Sequence, residues 1–217
     1  MFKEILSFWT RDDLLKEAYD EANQMLETVR DMFVTVSGSL LSGQKVEMDI
    51  HKRDKQVNEM ERQVRRKVLE HLSINPKQDV AASLVLTSVV IDIERIGDYS
   101  KNVKELVDLY QQEFADVQYM LDLRQMTRSV EDIFSLVAES FKNGDVEKAR
   151  LAIGSHQAVK NCCDSVIEHV FREQESDTKR AVVGVLYARY LKRVSAHLKN
   201  IATGVANPFD MIGYREK

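Results

Sequence analysis

Apolar residues recur every three or four positions through most of this 217-residue chain, which is the spacing of one face of an α-helix. The pattern predicts six long helices, over residues 11–41, 45–72, 80–110, 115–142, 146–172 and 177–206. Asp79 is the predicted N-cap of the third helix, and Asn143 with Gly144 ends the fourth. Because long helices joined by short loops pack as antiparallel bundles, the predicted fold class is all-α.

The two halves of the chain share short sequence motifs as well as the order of their helices. The segment ERIGDYSKNV at residues 94–103 is echoed by KRVSAHLKNI at residues 192–201, and Asp-Met-Phe at 31–33 is echoed by Asp-Ile-Phe at 132–134. Such self-similarity is the mark of an internal duplication. We therefore predict two tandem antiparallel three-helix bundles, repeat one over residues 1–112 and repeat two over residues 113–217.

The composition narrows the class of protein. Only 8 Gly and 2 Pro are present, too few to form the turns between many short strands. This argues against an all-β sandwich or barrel. The net charge of −4 supplies no basic face, so no nucleic-acid partner is expected. The adjacent Cys162 and Cys163 are poorly placed to bridge each other, and the absence of a disulfide framework is typical of a reduced, intracellular setting.

No segment resembles a membrane span or a targeting signal. The most apolar window, residues 80–91, is well short of the roughly 20 residues that a span needs. Residues 2–9 carry charge inside a short apolar stretch and lack a small-residue cleavage site. We expect a cytoplasmic protein. Residues 2–9 could pack on the bundle, mediate a dimer or touch a membrane.

Two groups of polar residues each share one helix face. Glu94 and Asp98 lie four positions apart, so both carboxylates project from the same side of the third predicted helix. Asp54, Asn58 and Glu61 share one side of the second. If these helices are antiparallel neighbours, the two groups form a patch of oxygen ligands of the kind that Mg²⁺, Mn²⁺ or Fe takes.

The same pattern also fits a solvated face of salt bridges, with Arg65 and Arg95 near enough to supply the cations. No Gly-rich phosphate loop, nucleophile elbow or triad spacing is present, so we expect no enzyme. The histidines lack the spacing of a zinc site and are interpreted as surface or helix-packing residues: His51, His71, His156, His169 and His197.

Residues 92–103 resemble the signature of the PhoU family, in which Glu-Arg-Ile-Gly-Asp precedes a lysine- or alanine-rich stretch and Asn-Ile once per repeat. The spacing of Asp54, Asn58 and Glu61 is similar to the family's second-helix motif. The stretch that begins at Pro76 is similar to the start of its third helix. Because the duplicated six-helix layout also agrees, the resemblance covers nearly the whole chain.

The resemblance implies a regulator of phosphate uptake and phosphate-starvation signalling. Family members act on a phosphate sensor histidine kinase together with the ATPase of an ABC phosphate transporter, and some relatives serve a phosphate symporter instead. The resemblance thus implies an adaptor that associates with the membrane only peripherally, through these partners. It also implies a homodimer.

The resemblance further implies metal clusters on the acidic motifs. In repeat one the ligands would be Asp54, Glu61, Glu94 and Asp98, and the ion would be Fe, Zn, Mg or Mn. Arg65 stands where the family has an acidic residue, so a metal-free state with a salt bridge is the alternative.

Repeat two departs further from the family pattern. Lys192 and Ala196 replace the Glu and Asp of the third-helix motif, and His156 and Lys160 stand at the second-helix positions. A protonated lysine offers no ligand, so no second cluster is expected. Two other functions stay open: a metal-binding helical bundle without a phosphate-signalling role, and a structural bundle that simply oligomerises.

Overall fold

Six α-helices make up most of the computed structural model, which describes residues 13–115, 117–172 and 177–214. They are α1 (Asp13–Ser42), α2 (Ile50–Ile74), α3 (Val80–Leu109), α4 (Gln118–Asn143), α5 (Val146–Arg172) and α6 (Thr178–Ala206). A 3-10 turn, Phe209–Met211, follows α6. No strand occurs among the described residues, and the predicted all-α class is confirmed.

Local capping explains where several helices end. Gly144 takes the left-handed conformation with φ of 65° after α4, and its N–H donates to the Ser140 carbonyl. Gly43 has φ of 68° immediately after α1. At the start of α6, the Asp177 carboxylate accepts a hydrogen bond from the Arg180 amide at 3.0 Å. Each end lies within a few residues of its predicted position, because glycine and aspartate satisfy these backbone requirements locally.

At two helix starts the structure differs from the sequence expectation. The second helix begins at Ile50 and not near residue 45, because the Asp49 carboxylate caps it by accepting from the Lys52 amide at 2.9 Å. The preceding apolar residues, Val46 and Met48, alternate with polar ones at a period of two, which is not a helical spacing.

The second difference concerns the cap of α3, whose predicted position at Asp79 is correct. Asp79 does precede the helix, but its backbone is left-handed with φ of 55° and its side chain makes no capping hydrogen bond. The carboxylate instead turns inward, where its Oδ2 lies 3.8 Å from Nε2 of the buried His71 near the end of α2. The Asp79 side chain therefore contacts the preceding helix and does not cap the helix that it precedes.

Equivalent helices of the two repeats face each other. Along α3 and α6, Asp92 meets His197 with 2.7 Å between Oδ1 and Nδ1, and the rings of Tyr99 and Tyr190 have centroids 6.0 Å apart. The order of these contacts shows that the two helices run antiparallel. Helices α1 and α4 also meet: the Arg30 guanidinium on α1 donates to the Ser135 hydroxyl on α4 at 3.4 Å. The two repeats thus share one continuous apolar core.

The connection between the repeats is held by hydrogen bonds. The Phe114 amide donates to the Leu41 carbonyl at 3.2 Å, and the Arg124 guanidinium donates to the Phe114 carbonyl at 2.8 Å. The boundary predicted between residues 112 and 113 lies in this connection, and the division into two domains stays a prediction.

Residues 2–9 lie outside the described residues. None of the described helices is long and apolar enough to cross a membrane.

The two cysteines of α5 differ in environment. Cys163 is fully buried, and burial raises the pKa of its thiol from 9.0 to about 12. Cys162 is half-buried, and burial followed by the charge of Asp122 raises its thiol pKa as well. Neither is a reactive thiolate near neutral pH.

We expect a thiol reagent such as DTNB at pH 8 to label Cys162 slowly in the folded protein and Cys163 only after unfolding. Because the folded-state pKa of Cys163 is raised, its stabilising contribution is complete below pH 9 and is lost as the pH rises toward 12. Cys162→Ser is the control, since it should abolish labelling of the folded chain. Equal labelling rates for both thiols would contradict the buried position of Cys163.

Candidate functional site

Helices α2 and α3 bring together the acidic residues singled out in the sequence. The two helices run antiparallel, so Asp54 lies opposite Asp98, and Glu61 lies close enough to Glu94 for its charge to act on the Glu94 carboxyl. We call Asp54, Glu61, Glu94 and Asp98 the repeat-one carboxylates. The condition set by the sequence, that the two helices be antiparallel neighbours, is met.

The core beneath determines the depth of these side chains. Val57 and Val64 of α2 and Ile93 and Ile96 of α3 are fully buried. The repeat-one carboxylates occupy the adjoining helical positions and lie at the margin of the core. Asp54 is the deepest of them, with 8% of its surface exposed. Carboxylates at such a margin lose part of their hydration and need cations or hydrogen-bond donors.

A lysine supplies the main cation. Lys101 lies three residues after Asp98 on α3, and its Nζ lies 2.8 Å from Asp98 Oδ1 and 3.0 Å from Asp54 Oδ1 on α2. The other carboxylate oxygen of Asp54 accepts a hydrogen bond from the Asn58 side-chain amide at 3.3 Å. The ammonium group therefore bridges the two helices through two charge-assisted hydrogen bonds.

Two arginines pair with Glu61, Glu94 and Asp98. Arg65 Nη2 lies 2.6 Å from Glu61 Oε1, one turn away on α2. Arg95 Nη1 lies 3.0 Å from Asp98 Oδ2, and Arg95 Nε lies 3.6 Å from Glu94 Oε2. The salt-bridge partners that the sequence indicated are thus both in place. Each of the repeat-one carboxylates has at least one cation within salt-bridge distance.

Burial and the neighbouring charges shift the pKa values of two groups. Partial burial, followed by repulsion from Asp98, raises the pKa of Glu94, although Arg95 opposes this. Burial lowers the pKa of Lys101, but its hydrogen bonds to Asp98 and Asp54 outweigh burial and raise the pKa overall. Lys101 is therefore positively charged at neutral pH and pairs with both aspartates.

The residues present fit a metal ion poorly. Oxygen donors of the right chemical type are there, but the cation between Asp54 and Asp98 is the Lys101 ammonium. Within residues 13–115, 117–172 and 177–214, no three His, Cys, Asp or Glu side chains are grouped so that they could hold a metal ion. The metal site over the repeat-one carboxylates stays a prediction.

An open cleft of about 530 Å³ adjoins these residues. Besides Asp54, Asp98, Arg95 and Lys101, side chains of both signs and of intermediate polarity line it: His51, Lys55, Tyr99, Asn102 and Glu105. The mixture favours contact with another polar surface over capture of a small apolar molecule.

The matching positions of repeat two hold different chemistry. Lys192, which replaces Glu94, pairs with Asp164 of α5 at 2.5 Å. His156 is buried, with Nδ1 3.0 Å from the Ser195 hydroxyl oxygen. Lys199, at the position that matches Lys101, donates to the Gly213 carbonyl at 2.7 Å. Repeat two therefore presents no counterpart of the repeat-one carboxylates at these positions.

Sequence reasoning missed two features of this region. Lys101 was inside the motif but was not considered as a partner, although a lysine three residues after Asp98 is at ion-pair spacing on a helix. The second feature is Asp92, which accepts hydrogen bonds from His197 at 2.7 Å and from Asn200 at 3.0 Å across the repeat junction. No local signal could have revealed it, since more than 100 residues separate these partners.

The fold and the site define a class: an all-α protein of two antiparallel three-helix repeats, with an acidic Glu-Arg-Ile-Gly-Asp segment on the third helix of the first. Comparison with protein-family models agrees, because the model described as the PhoU domain matches residues 22–107 and 123–205. These two matches cover most of the chain, one in each repeat. The chain belongs to the PhoU family.

Solved structures show the same fold. The crystal structure of PhoU from Pseudomonas aeruginosa superimposes with a TM-score of 0.81 at 19% identity, covering 89% of this chain and 95% of that one. PhoU from Streptococcus pneumoniae, a phosphate transport system regulatory protein, gives 0.79 at 15% identity, covering 89% and 93%. No curated protein sequence matches the chain significantly.

Proposed function

We propose that this chain regulates phosphate uptake and phosphate-starvation signalling as an adaptor at the cytoplasmic face of the membrane. The observation that carries the proposal is the match of the PhoU domain to both repeats. The PhoU family consists of regulators and not of enzymes, so the role proposed is binding without catalysis. The S. pneumoniae structure, which shares this fold, is of a phosphate transport system regulatory protein.

The outer face of α3 is our proposed docking surface. Its first half exposes apolar side chains at helical spacing, with Val80, Leu84 and Ile91 each about two-fifths exposed. Its second half carries the exposed Arg95 beside Asp98. An apolar stripe that continues into charged groups suits a helix of another protein, since the apolar part supplies affinity and the charges set register.

Three partners are consistent with this role: the ATPase of an ABC phosphate transporter, a phosphate symporter and a phosphate sensor histidine kinase. Repeat one is the better candidate for the contact because its motif is intact there. In repeat two, Lys192 and Ala196 remove the corresponding acidic groups, and Lys192 is engaged with Asp164.

We expect the charge reversal Glu94→Lys/Asp98→Lys to weaken binding to the true partner at least about tenfold, because a partner that fits the present charge pattern would meet charges of the wrong sign. Binding is measured with each of the three purified partners from the host, in membranes or detergent where required. In cells, phosphate uptake and a phosphate-starvation reporter are measured in a deletion strain that carries the variant. At high phosphate the reporter should be derepressed.

The matched control is Glu147→Lys/Glu168→Lys, which reverses two exposed charges on α5, far from the docking surface. Circular dichroism confirms that each variant is folded. If the reversal at Glu94 and Asp98 leaves binding and repression intact, the docking surface is wrong. If deletion of the gene changes neither uptake nor the reporter, the proposed function is wrong.

A second candidate role, self-association, is favoured by the same apolar stripe on α3, since exposed apolar patches commonly mark protein contacts. A homodimer through this face would compete with the docking that we propose. Sedimentation velocity of the wild-type chain decides this, because a monomer over the whole accessible concentration range is incompatible with a stable dimer.

A further inference from the structure

A lysine from the signature segment stands between the two acidic helices of repeat one. Lys101 belongs to α3, yet its Nζ lies 3.0 Å from Asp54 Oδ1 on α2 as well as 2.8 Å from Asp98 Oδ1 on its own helix. Its side chain is three-quarters buried. Such an ammonium joins two elements of the fold and is held on both sides.

We propose that the Lys101 ammonium takes the place that a metal ion would need, and that it forms with Asp54 and Asp98 a metal-independent ion-pair bridge between α2 and α3. A metal ion bound by carboxylate oxygens lies about 2.0–2.6 Å from them, in the space that the ammonium now fills. Both cations cannot occupy this space, since like charges so close repel strongly at the margin of the core.

The local charge balance supports the same conclusion. Four carboxylates are accompanied by Arg65, Arg95 and Lys101, each within 3.0 Å of a carboxylate oxygen. Three fixed positive charges leave little uncompensated negative charge to attract a divalent ion. For a metal to enter, Lys101 would have to leave and give up both of its charge-assisted hydrogen bonds.

Repeat two also has a lysine–aspartate ion pair between its second and third helices, at another position. Lys192 of α6 pairs with Asp164 of α5 at 2.5 Å, so a lysine again ties the third helix of the repeat to the second. In repeat one the pair is Lys101 of α3 and Asp54 of α2. The two repeats therefore each hold this helix pair together with a protein cation.

The decisive variant is Lys101→Ala, which removes the ammonium and leaves all four carboxylates. Metal binding is measured on chelator-treated protein with Mn²⁺ and Zn²⁺ separately, by equilibrium dialysis and elemental mass spectrometry. We expect no stoichiometric site in the wild type. In Lys101→Ala, Asp54 and Asp98 face the vacated space, so the affinity for the ion should be at least about tenfold higher than in the wild type. Adding Asp54→Ala to Lys101→Ala should abolish the gain.

Lys104→Ala is the matched control, because this neighbouring lysine pairs with the exposed Asp108 of its own helix and touches none of the repeat-one carboxylates. It should bind metal no better than the wild type. Lys101→Arg, which keeps a cation between the helices, should also stay metal-free and serves if Lys101→Ala does not fold.

Two results would overturn the proposal. One is about one metal ion per wild-type chain that disappears in Glu94→Ala/Asp98→Ala. The other is that folded Lys101→Ala gains no affinity for metal. If Lys101→Ala does not fold, metal binding by Lys101→Arg takes the place of this second result. If Glu94→Ala/Asp98→Ala still binds metal, that metal is bound elsewhere on the chain. The proposal is then tested by whether Lys101→Ala gains affinity for metal. None of these measurements depends on phosphate transport, so the proposed function can fail while this inference holds.

Discussion

Replacing Phe33 with alanine is expected to lower the free energy of unfolding by about 3–5 kcal/mol, the usual cost of emptying a buried phenylalanine site. Phe33 of α1 is fully buried, and its ring centroid lies 5.4 Å from that of Phe134 of α4. Both phenylalanines come from the segments that echo each other in the two halves. The substitution therefore opens a cavity at the junction of the repeats, where neither repeat can collapse alone to fill it.

Urea unfolding followed by circular dichroism measures this change. The control is Val34→Ala on the same helix, where the side chain is 41% exposed and the expected loss is within about 0.5 kcal/mol. A double-mutant cycle with Phe134→Ala should show a coupling of about 0.5–1.5 kcal/mol between the rings. A loss below about 1 kcal/mol for Phe33→Ala would mean that the repeats do not depend on this contact.

The substitution Gly43→Ala should also be costly, by at least about 3 kcal/mol, for two reasons that add. Gly43 has φ of 68°, where a residue with a side chain costs roughly 1–2 kcal/mol. A Cβ built there would lie 2.5 Å from the backbone of Gln112 and Glu113. Since backbone atoms cannot rotate away, the connection between the repeats would have to move off the end of α1.

Gly38→Ala is the matched control on α1. A Cβ at Gly38 meets nothing within 4 Å, so alanine should stabilise the helix by about 0.5–1 kcal/mol. The two substitutions are chemically identical and should differ in sign. Thermal or urea unfolding of both variants tests this, and a neutral Gly43→Ala would show that the connection adapts without cost.

The asymmetry between the repeats bears on function. Both have the same three helices, but only repeat one keeps the acidic segment, and its charges are neutralised mainly by the protein's own cations. The docking that we propose would use a fixed pattern of shape and charge on α3. Loading with metal would not be needed to build that pattern.

Much of this architecture was present in the sequence alone. The helical period, the cap at Gly144, and the echo of residues 94–103 by 192–201 were enough to predict six helices in two repeats. The spacing also showed that Asp54 and Glu61 share one helix face and that Glu94 and Asp98 share another. Helix periods, caps and faces depend on residues close together along the chain, so local spacing determines them.

Other features were decided only by the tertiary structure. The pairing of α3 with α6 through Asp92 and His197, and of Phe33 with Phe134, joins residues far apart in sequence. The contact of Asp79 with the buried His71 and the bridge from Lys101 to Asp54 each depend on the distance between two helices. A helix face shows which groups are available. Which cation reaches a carboxylate depends on packing between elements, where long-range burial overrides local preference.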